Sequence, residues 1–86
     1  MKMIYRLEID PKAKKRLRKI PRPWQIRIGR ALSALRKDPF QGKKLGVNFK
    51  GCYSIRVWPY RILYAIKREE ILVYVLNIDH RKNVYR

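Results

Sequence analysis

The sequence predicts an α+β domain in which a helical hairpin packs on one face of a mainly antiparallel, four-stranded sheet. One alternating segment precedes two amphipathic helical segments, and three apolar segments joined by short turns follow them. This order, β-α-α-β-β-β, groups the helices together, which is typical of α+β folds. At 86 residues the chain has room for one domain only, so we assign residues 1–86 to a single domain.

The first strand is predicted over residues 3–9, because apolar side chains at every second position indicate one face turned toward a core. A helix follows directly, since Asp10 suits the N-cap and Pro11 the first helical position. Its apolar stripe consists of Ala13, Leu17 and Ile20. Pro21 and Pro23 end it.

The second helix is predicted from near Pro23 to about Asp38, where the Asp38-Pro39 pair stops it. Its apolar face consists of Trp24, Ile28, Ala31, Leu32 and Leu35. Because a short proline-containing turn joins two helices that each have one apolar stripe, we expect a helical hairpin lying across the sheet.

Residues 40–51 contain three of the four glycines and are predicted to form a loop. Three strands follow, at about residues 53–58, 60–67 and 71–78. The unbroken apolar run at residues 71–76 predicts an internal strand that is covered on both faces.

The charge of the chain predicts a polyanionic partner. Twenty-three lysines and arginines against six acids leave a formal net charge of +17, far more than solubility needs. No acid occurs over residues 11–37 or 39–68, so both stretches present continuous positive potential. Such a surface adds sequence-independent affinity for nucleic acid that weakens as salt rises.

Residue types also exclude several classes of site. Cys52 is the only cysteine and His80 the only histidine, which rules out an internal disulfide and a Cys/His metal cage. No paired carboxylates, Ser-His-Asp triad or glycine-rich phosphate loop is recognisable. No apolar stretch approaches the roughly 18 residues of a membrane span, and the N-terminus does not resemble a signal peptide. We therefore expect a cytoplasmic protein with no metal, cofactor or membrane association.

Single arginines set among apolar strand residues predict an anion site. If the turn at Trp58-Pro59 contains an even number of residues, Arg56 lies opposite Arg61 on one sheet face. Like charges in that position are unfavourable unless an anion lies between them. An odd turn length would break the pairing, and the alternative is that both arginines simply face solvent.

The C-terminal segment offers further candidates. Arg81 and Tyr85 follow the last strand and can return over the sheet, where a guanidinium cluster with an aromatic ring suits a nucleotide. The alternative is a frayed basic tail. Histidine is a common acid or base in proteins, so His80 is a further candidate, although a lone histidine at a strand end is more often a surface residue.

Four segments carry a recognisable pattern: KL at residues 44–45, GCYSIRV at 51–57, YRILY at 60–64 and HRKNVY at 80–85. Together with the order of elements, they resemble the RelE branch of the RelE/ParE toxin superfamily. The resemblance implies the toxin of a type II toxin–antitoxin pair, a ribosome-dependent endoribonuclease that cleaves messenger RNA. It implies three partners, namely the ribosome, messenger RNA and an acidic, RelB-like antitoxin.

The resemblance also implies roles for single residues in an attack of the ribose 2′-hydroxyl on the adjacent phosphate. Arg61 would stabilise the transition state, Arg81 would stabilise or protonate the leaving 5′-oxygen, and Arg56 would hold the phosphate. Tyr85 would stack on or orient the nucleotide. The other residues expected to contact RNA or the ribosome are Lys12, Lys14, Lys15, Arg18, Lys19, Arg22, Arg27, Arg30, Lys43, Lys44 and Lys82.

Two positions depart from the family pattern. Ser54 stands where a lysine is common, and Arg56 is a poor base because it stays protonated. The proton acceptor is therefore open, with Tyr85, His80, a helix lysine and ribosomal groups as candidates. Asp79 stands where a glycine is common before the His-Arg pair.

Two other functions fit the same fold. A ParE-like toxin would inhibit DNA gyrase without cleaving anything, and a basic RNA-binding module would bind without catalysis. The set of three arginines with Tyr85 favours the nuclease, whereas Ser54 is the best argument for the module.

Overall fold

The computed structural model describes residues 3–46 and 51–80. The strands are β1 (Arg6–Ile9), β2 (Lys43–Lys44), β3 (Cys52–Val57), β4 (Tyr60–Lys67) and β5 (Leu72–His80). The helices are α1 (Pro11–Arg18) and α2 (Arg22–Lys37), with short 3-10 turns at Pro39–Gln41 and Arg68–Glu70. Neither α-helix in this part of the chain combines the length and apolarity needed to cross a membrane.

The sheet has the order β1-β5-β4-β3-β2, with β1 parallel to β5 and every other pair antiparallel. The α+β class and the mainly antiparallel sheet are confirmed. The predicted strand count of four is wrong, because two residues of the expected loop, Lys43 and Lys44, pair with β3. A two-residue strand is too short to show any alternation in sequence.

Local signals set the ends of the helices. The Asp10 carboxylate accepts a hydrogen bond from the Lys12 backbone N–H at 2.9 Å, which confirms the predicted N-cap. That bond, and a second one from the Tyr74 hydroxyl, lower the pKa of Asp10 below its usual value. At the end of α2, the Asp38 side chain accepts from the Phe40 N–H and starts the first 3-10 turn.

The core lies between the helices and one face of the sheet. Its buried members are Ala13, Ile20, Ile28, Leu32, Leu35, Ile62, Tyr64, Val73, Val75 and Ile78. Trp24 packs against this cluster as predicted, with the Arg27 guanidinium 4.8 Å from the centre of its ring. The prediction that β5 is covered on both faces is only partly right, since Tyr74 and Leu76 are half-buried.

Register decides which side chains share a sheet face. In the β3–β4 hairpin, Val57 pairs with Tyr60 and Arg56 with Arg61 across a two-residue turn, as predicted for an even turn length. Between β4 and β5 the register shifts by one residue at Leu63 and Tyr64. Such a shift moves all later side chains of a strand to the other face.

Candidate active site

A cavity of about 270 Å³ opens on the sheet face that points away from the helices. We call it the open-face cavity; its lining residues are Lys43, Leu45, Ser54, Arg56 and Arg61. Ile62 and Tyr64 are buried against the helices, so their neighbour Arg61 projects to the opposite side. Arg56 shares that side because it is the cross-strand partner of Arg61.

The open-face cavity is strongly electropositive. Three of its five lining residues are cations, and none of those five is acidic. Arg56 is exposed and Arg61 is half-buried, so neither guanidinium is confined to the protein interior. Cations from three neighbouring strands therefore surround one small volume, which is an arrangement suited to holding a phosphate from several sides.

A carboxylate lies on the strand next to Arg61. Asp79 is the cross-strand partner of Arg61, and it lines the cavity of about 520 Å³ between α1 and β5 rather than the open-face cavity. Its Oδ2 atom lies 3.1 Å from an Arg16 guanidinium nitrogen, which also donates to Asn77 at 2.8 Å. Arg16 thus offsets part of the negative charge of Asp79, although a half-exposed pair of this kind contributes little stability.

Ser54 and Lys43 occupy the end of the cavity that borders β2. Ser54 is only 9% exposed, and it carries neither a charge nor a basic group. Lys43 is its register partner on β2, so both side chains lie on the open face. The structure therefore places a lysine beside the serine, on the neighbouring strand.

The Tyr64 hydroxyl holds the loop before β2 in place through two hydrogen bonds. The Tyr64 hydroxyl donates to the Pro39 carbonyl at 2.8 Å and accepts from the Gly42 N–H at 3.1 Å. Burial raises the pKa of this hydroxyl to about 12. A Cβ atom at Gly42 would collide with that hydroxyl and would lie 2.8 Å from the Ser54 carbonyl oxygen. Glycine is needed here because the loop crosses both groups at close range.

The helix lysines and arginines form a separate region, which we call the helical basic surface. Its members are exposed residues of α1, α2 and their connection: Lys12, Lys14, Lys15, Arg18, Lys19, Arg22, Arg27 and Arg30. The helices cover the sheet face opposite to the open-face cavity. The residues expected to track a polyanion are thus divided between two sides of the sheet.

The remaining candidates lie in different places. His80 pairs with Tyr60 on the helix-facing side, and their rings meet edge to face with centroids 5.3 Å apart. Both border the cavity of about 520 Å³ rather than the open-face cavity. Lys44 pairs with Tyr53, so it points to the side opposite to Lys43. Arg81, Lys82 and Tyr85 lie outside the described residues.

Sequence reasoning identified Arg56 and Arg61 but missed the elements that complete their surroundings. It treated Lys43 as one of many basic contacts, because residues 40–51 appeared to be a loop. The available signal was Gly42, the only glycine whose Cβ would meet other atoms within 4 Å in the described structure. A tyrosine among the apolar residues of β4 was the second signal, since a buried hydroxyl needs a partner.

The sequence and the fold of this chain are similar to those of several known proteins. Residues 7–85 match the family described as ParE toxin of type II toxin–antitoxin system, parDE. Toxin RelG of Mycobacterium tuberculosis is 34% identical over 86 residues, which are 98% of this chain and 99% of that protein. A chain of the RelBE2 toxin–antitoxin complex from the same organism is 30% identical, with a TM-score of 0.83 over 94% of this chain and 95% of that chain.

A further solved structure, a mutant of E. coli toxin RelE in the free state, is 26% identical to this chain. It superimposes with a TM-score of 0.81 over 95% of this chain and 88% of the other. The structural similarity therefore covers most of the chain, and the family match over residues 7–85 includes the two strands that carry Arg56 and Arg61.

Proposed function

The chain belongs to the ParE toxin family of the RelE/ParE superfamily and is a RelE-type toxin of a type II toxin–antitoxin system; from this premise we propose that it is a ribosome-dependent endoribonuclease that cleaves messenger RNA. The observation that carries the proposal is the open-face cavity, where Arg56 and Arg61 meet across the hairpin. Two guanidinium groups around one small volume match the needs of a phosphoryl transition state.

The chemistry is an internal transesterification of RNA. The ribose 2′-oxygen loses its proton and bonds to the adjacent phosphorus, while the bond from phosphorus to the 5′-oxygen breaks and that oxygen is protonated. Negative charge grows on the phosphate oxygens in the transition state. Arg61 stabilises that charge and Arg56 holds the phosphate, and each such donor typically contributes about 10²–10³ in rate.

The size of the cavity favours a polymer as substrate. At about 270 Å³ it lies just below the roughly 300–1,000 Å³ of sites that enclose a free small molecule. It has room for a phosphodiester and its ribose, so the bases would be held by other groups. The ribosome supplies such groups when the message lies in its decoding site.

Arg81 and Tyr85 complete the proposal by family resemblance. Arg81 stabilises the charge on the leaving 5′-oxygen, and Tyr85 stacks on or orients the nucleotide. No metal or cofactor is part of this mechanism. The site of action is the cytoplasm, because the substrate is a message engaged with the ribosome.

The helical basic surface provides affinity for the ribosome. Its cations are exposed and lie apart from the open-face cavity, so they contribute attraction to phosphate backbones without touching the reacting bond. The cognate antitoxin is an acidic, RelB-like protein that covers basic surface and blocks the toxin. The similarity to a chain solved within a toxin–antitoxin complex supports this partner.

A second candidate function is inhibition of DNA gyrase without cleavage. The match to a family described by the name ParE favours it. The open-face cavity argues against it, since a protein that only binds gyrase has no evident need for two arginines and a lysine around one small cavity. The third candidate, a non-catalytic RNA-binding module, is supported by Ser54, which supplies no base to the cavity.

One experiment separates the three functions. The purified protein is added to a translating extract, and message ends are mapped by primer extension for the wild type, Arg61→Ala and the control Arg6→Ala. Arg6 lies on β1, at the sheet edge farthest from β2, and its substitution removes the same charge. We expect codon-phased cuts with the wild type and the control, and at least a hundredfold fewer with Arg61→Ala.

Other outcomes identify the competing functions. Intact messages together with inhibited supercoiling by purified gyrase would establish the gyrase inhibitor. Intact messages with unaffected supercoiling, but with salt-sensitive RNA binding, would establish the binding module. Equal cleavage by the wild type and Arg61→Ala would overturn the role of the arginine pair.

A further inference from the structure

Proton removal is the step for which the arginines of the open-face cavity are unsuited. Attack by a 2′-hydroxyl requires a group that takes its proton, and a guanidinium remains protonated in proteins. Among the five lining residues, Leu45 has no proton-accepting group and the Ser54 hydroxyl is a very weak base. Only Lys43 has a neutral form, the free amine, that accepts a proton and then carries a positive charge.

The backbone position of Lys43 is set by strand pairing. It pairs with Ser54 on the neighbouring strand, on the same face as Arg56 and Arg61. The Gly42 N–H that precedes it is bound by the Tyr64 hydroxyl at 3.1 Å. The Lys43 side chain is exposed, but its backbone lies at a defined register beside Ser54 on the edge strand β2.

We propose that Lys43 is a catalytic residue of the RNA cleavage reaction, the group that accepts the proton of the attacking 2′-hydroxyl at its Nζ atom. The proposal rests on the proposed nuclease function and names the base that this function requires. The neutral amine takes the proton, the 2′-oxygen bonds to phosphorus, and the electron pair of the broken bond goes to the 5′-oxygen. That oxygen takes a proton from a second group or from water, so charge and atoms balance.

Several charged and titratable groups face Lys43 or lie next to the residues that do. The groups in the described structure are Arg56 of β3, Arg61 and the Tyr64 hydroxyl of β4, Asp79 of β5 beyond Arg61, and Asp38 at the start of the 3-10 turn. Guanidinium groups stay protonated in proteins, and Tyr64 loses its proton only near pH 12. A pH dependence of cleavage in the neutral to mildly alkaline range therefore does not come from these three.

The test is single-turnover cleavage on programmed ribosomes at saturating toxin, followed as a function of pH. The variants are Lys43→Arg, Lys43→Ala and Lys44→Ala. Lys43→Arg keeps the positive charge but removes the accessible neutral form, so we expect both Lys43 variants to lose about 10²–10⁴ in rate. The rise of the wild-type rate with pH should be absent in Lys43→Arg.

Lys44→Ala is the matched control, because it removes the neighbouring lysine of the same strand, which points to the other sheet face. We expect weaker ribosome association but an unchanged pH profile. Message cleavage by Lys43→Arg within threefold of the wild type, with the same pH profile, would show that Lys43 supplies only charge and would overturn the proposal.

The two proposals fail in different ways. If the wild type cleaves no message, the nuclease function is wrong and the role of Lys43 falls with it. If the wild type cleaves and Lys43→Arg cleaves equally well, the function stands and only the role of Lys43 is wrong. Circular dichroism spectra and unfolding midpoints of all variants show whether a loss of rate comes from a loss of fold.

Discussion

The two basic regions of this protein lie on opposite sides of one sheet and hold their charges in different ways. In the open-face cavity, Lys43, Arg56 and Arg61 come from three neighbouring strands, and strand register brings them around a volume of about 270 Å³. On the helical basic surface, each cation is exposed and stands apart from the open-face cavity. Both regions attract polyanions, but only the first can surround a single phosphate.

This difference shows that charge alone does not identify a reaction site. The helical basic surface carries more cations than the open-face cavity, but they are exposed, so each contributes modestly and is screened by salt. In the open-face cavity, strand pairing sets the backbone positions of Lys43, Arg56 and Arg61 before the substrate arrives, which lowers the cost of arranging them around a phosphate. We therefore expect substitutions in the two regions to change different measured quantities.

The largest expected effect comes from removing two arginines in each region. Arg56→Ala with Arg61→Ala should lower the single-turnover cleavage rate by at least 10³, because both phosphate donors are lost. Arg18→Ala with Arg30→Ala removes the same charge but should leave the rate at saturating ribosomes nearly unchanged. The second pair should instead weaken ribosome binding and reduce the salt slope by about 2.

Quench-flow cleavage and filter binding at several salt concentrations measure the two quantities. The distinction between the two regions would be wrong if Arg18→Ala with Arg30→Ala lowered the cleavage rate at saturating ribosomes as much as the double substitution in the open-face cavity does. Equal salt slopes for both double variants would weaken it.

The next effect concerns the loop that places Lys43. Gly42→Ala would put a methyl group 2.8 Å from the Ser54 carbonyl oxygen and against the Tyr64 hydroxyl, so β2 must move away from β3. We expect a loss of about 1–3 kcal/mol of unfolding free energy and at least a tenfold loss of cleavage rate.

Gly29→Ala is the matched control for that substitution. Gly29 lies inside α2, and nothing lies within 4 Å of a Cβ atom built there. The alanine variant should therefore gain up to about 1 kcal/mol of unfolding free energy and keep its activity. Urea unfolding and cleavage are measured on both variants. Wild-type cleavage by a folded Gly42→Ala would show that the open-face cavity does not depend on β2.

A smaller effect is expected for Tyr64→Phe. The change leaves the Pro39 carbonyl and the Gly42 N–H without their present partner, which should lower the unfolding free energy by about 1–3 kcal/mol. The cleavage rate should fall less than in Gly42→Ala, because no new atom forces β2 away from β3.

The pH dependence of stability gives an independent check on Tyr64. The folded-state pKa of about 12 exceeds the ordinary value of 10.0, so the folded protein binds this proton more tightly than the unfolded chain does. The resulting stabilisation is complete below pH 10 and is lost as pH rises from 10 to 12. Denaturant titrations should show a steeper fall of unfolding free energy over that range for the wild type than for Tyr64→Phe.

The smallest effect is expected for Lys14→Ala on the helical basic surface. Lys14 is one exposed cation among many, so ribosome affinity should fall only a few-fold and the salt slope by about 1 or less. The cleavage rate at saturating ribosomes should not change. A defect in that rate would mean that the helices contribute to the chemistry, against the separation of the two regions.

Several features were predictable because they depend on neighbours in sequence. The start of α1 at Asp10 and Pro11 depends only on residues within one helical turn, and it is present as predicted. The pairing of Arg56 with Arg61 follows from a two-residue turn and from the alternation of side chains along a strand. Local pattern alone is therefore enough to name both arginines of the candidate site.

The sequence by itself thus determined the fold class, the start of α1 and the two arginines as candidates, and the structure supplied the turn length that pairs them. Only the tertiary structure decided that Lys43 pairs with Ser54, that His80 lies on the helix-facing side, and that Asp79 pairs with Arg61 and binds Arg16 of α1. These placements depend on the contact of Tyr64 with a distant loop and on a one-residue register shift in β5. A shift of one residue reverses every later side chain, and long-range pairing, which no local pattern encodes, sets that shift.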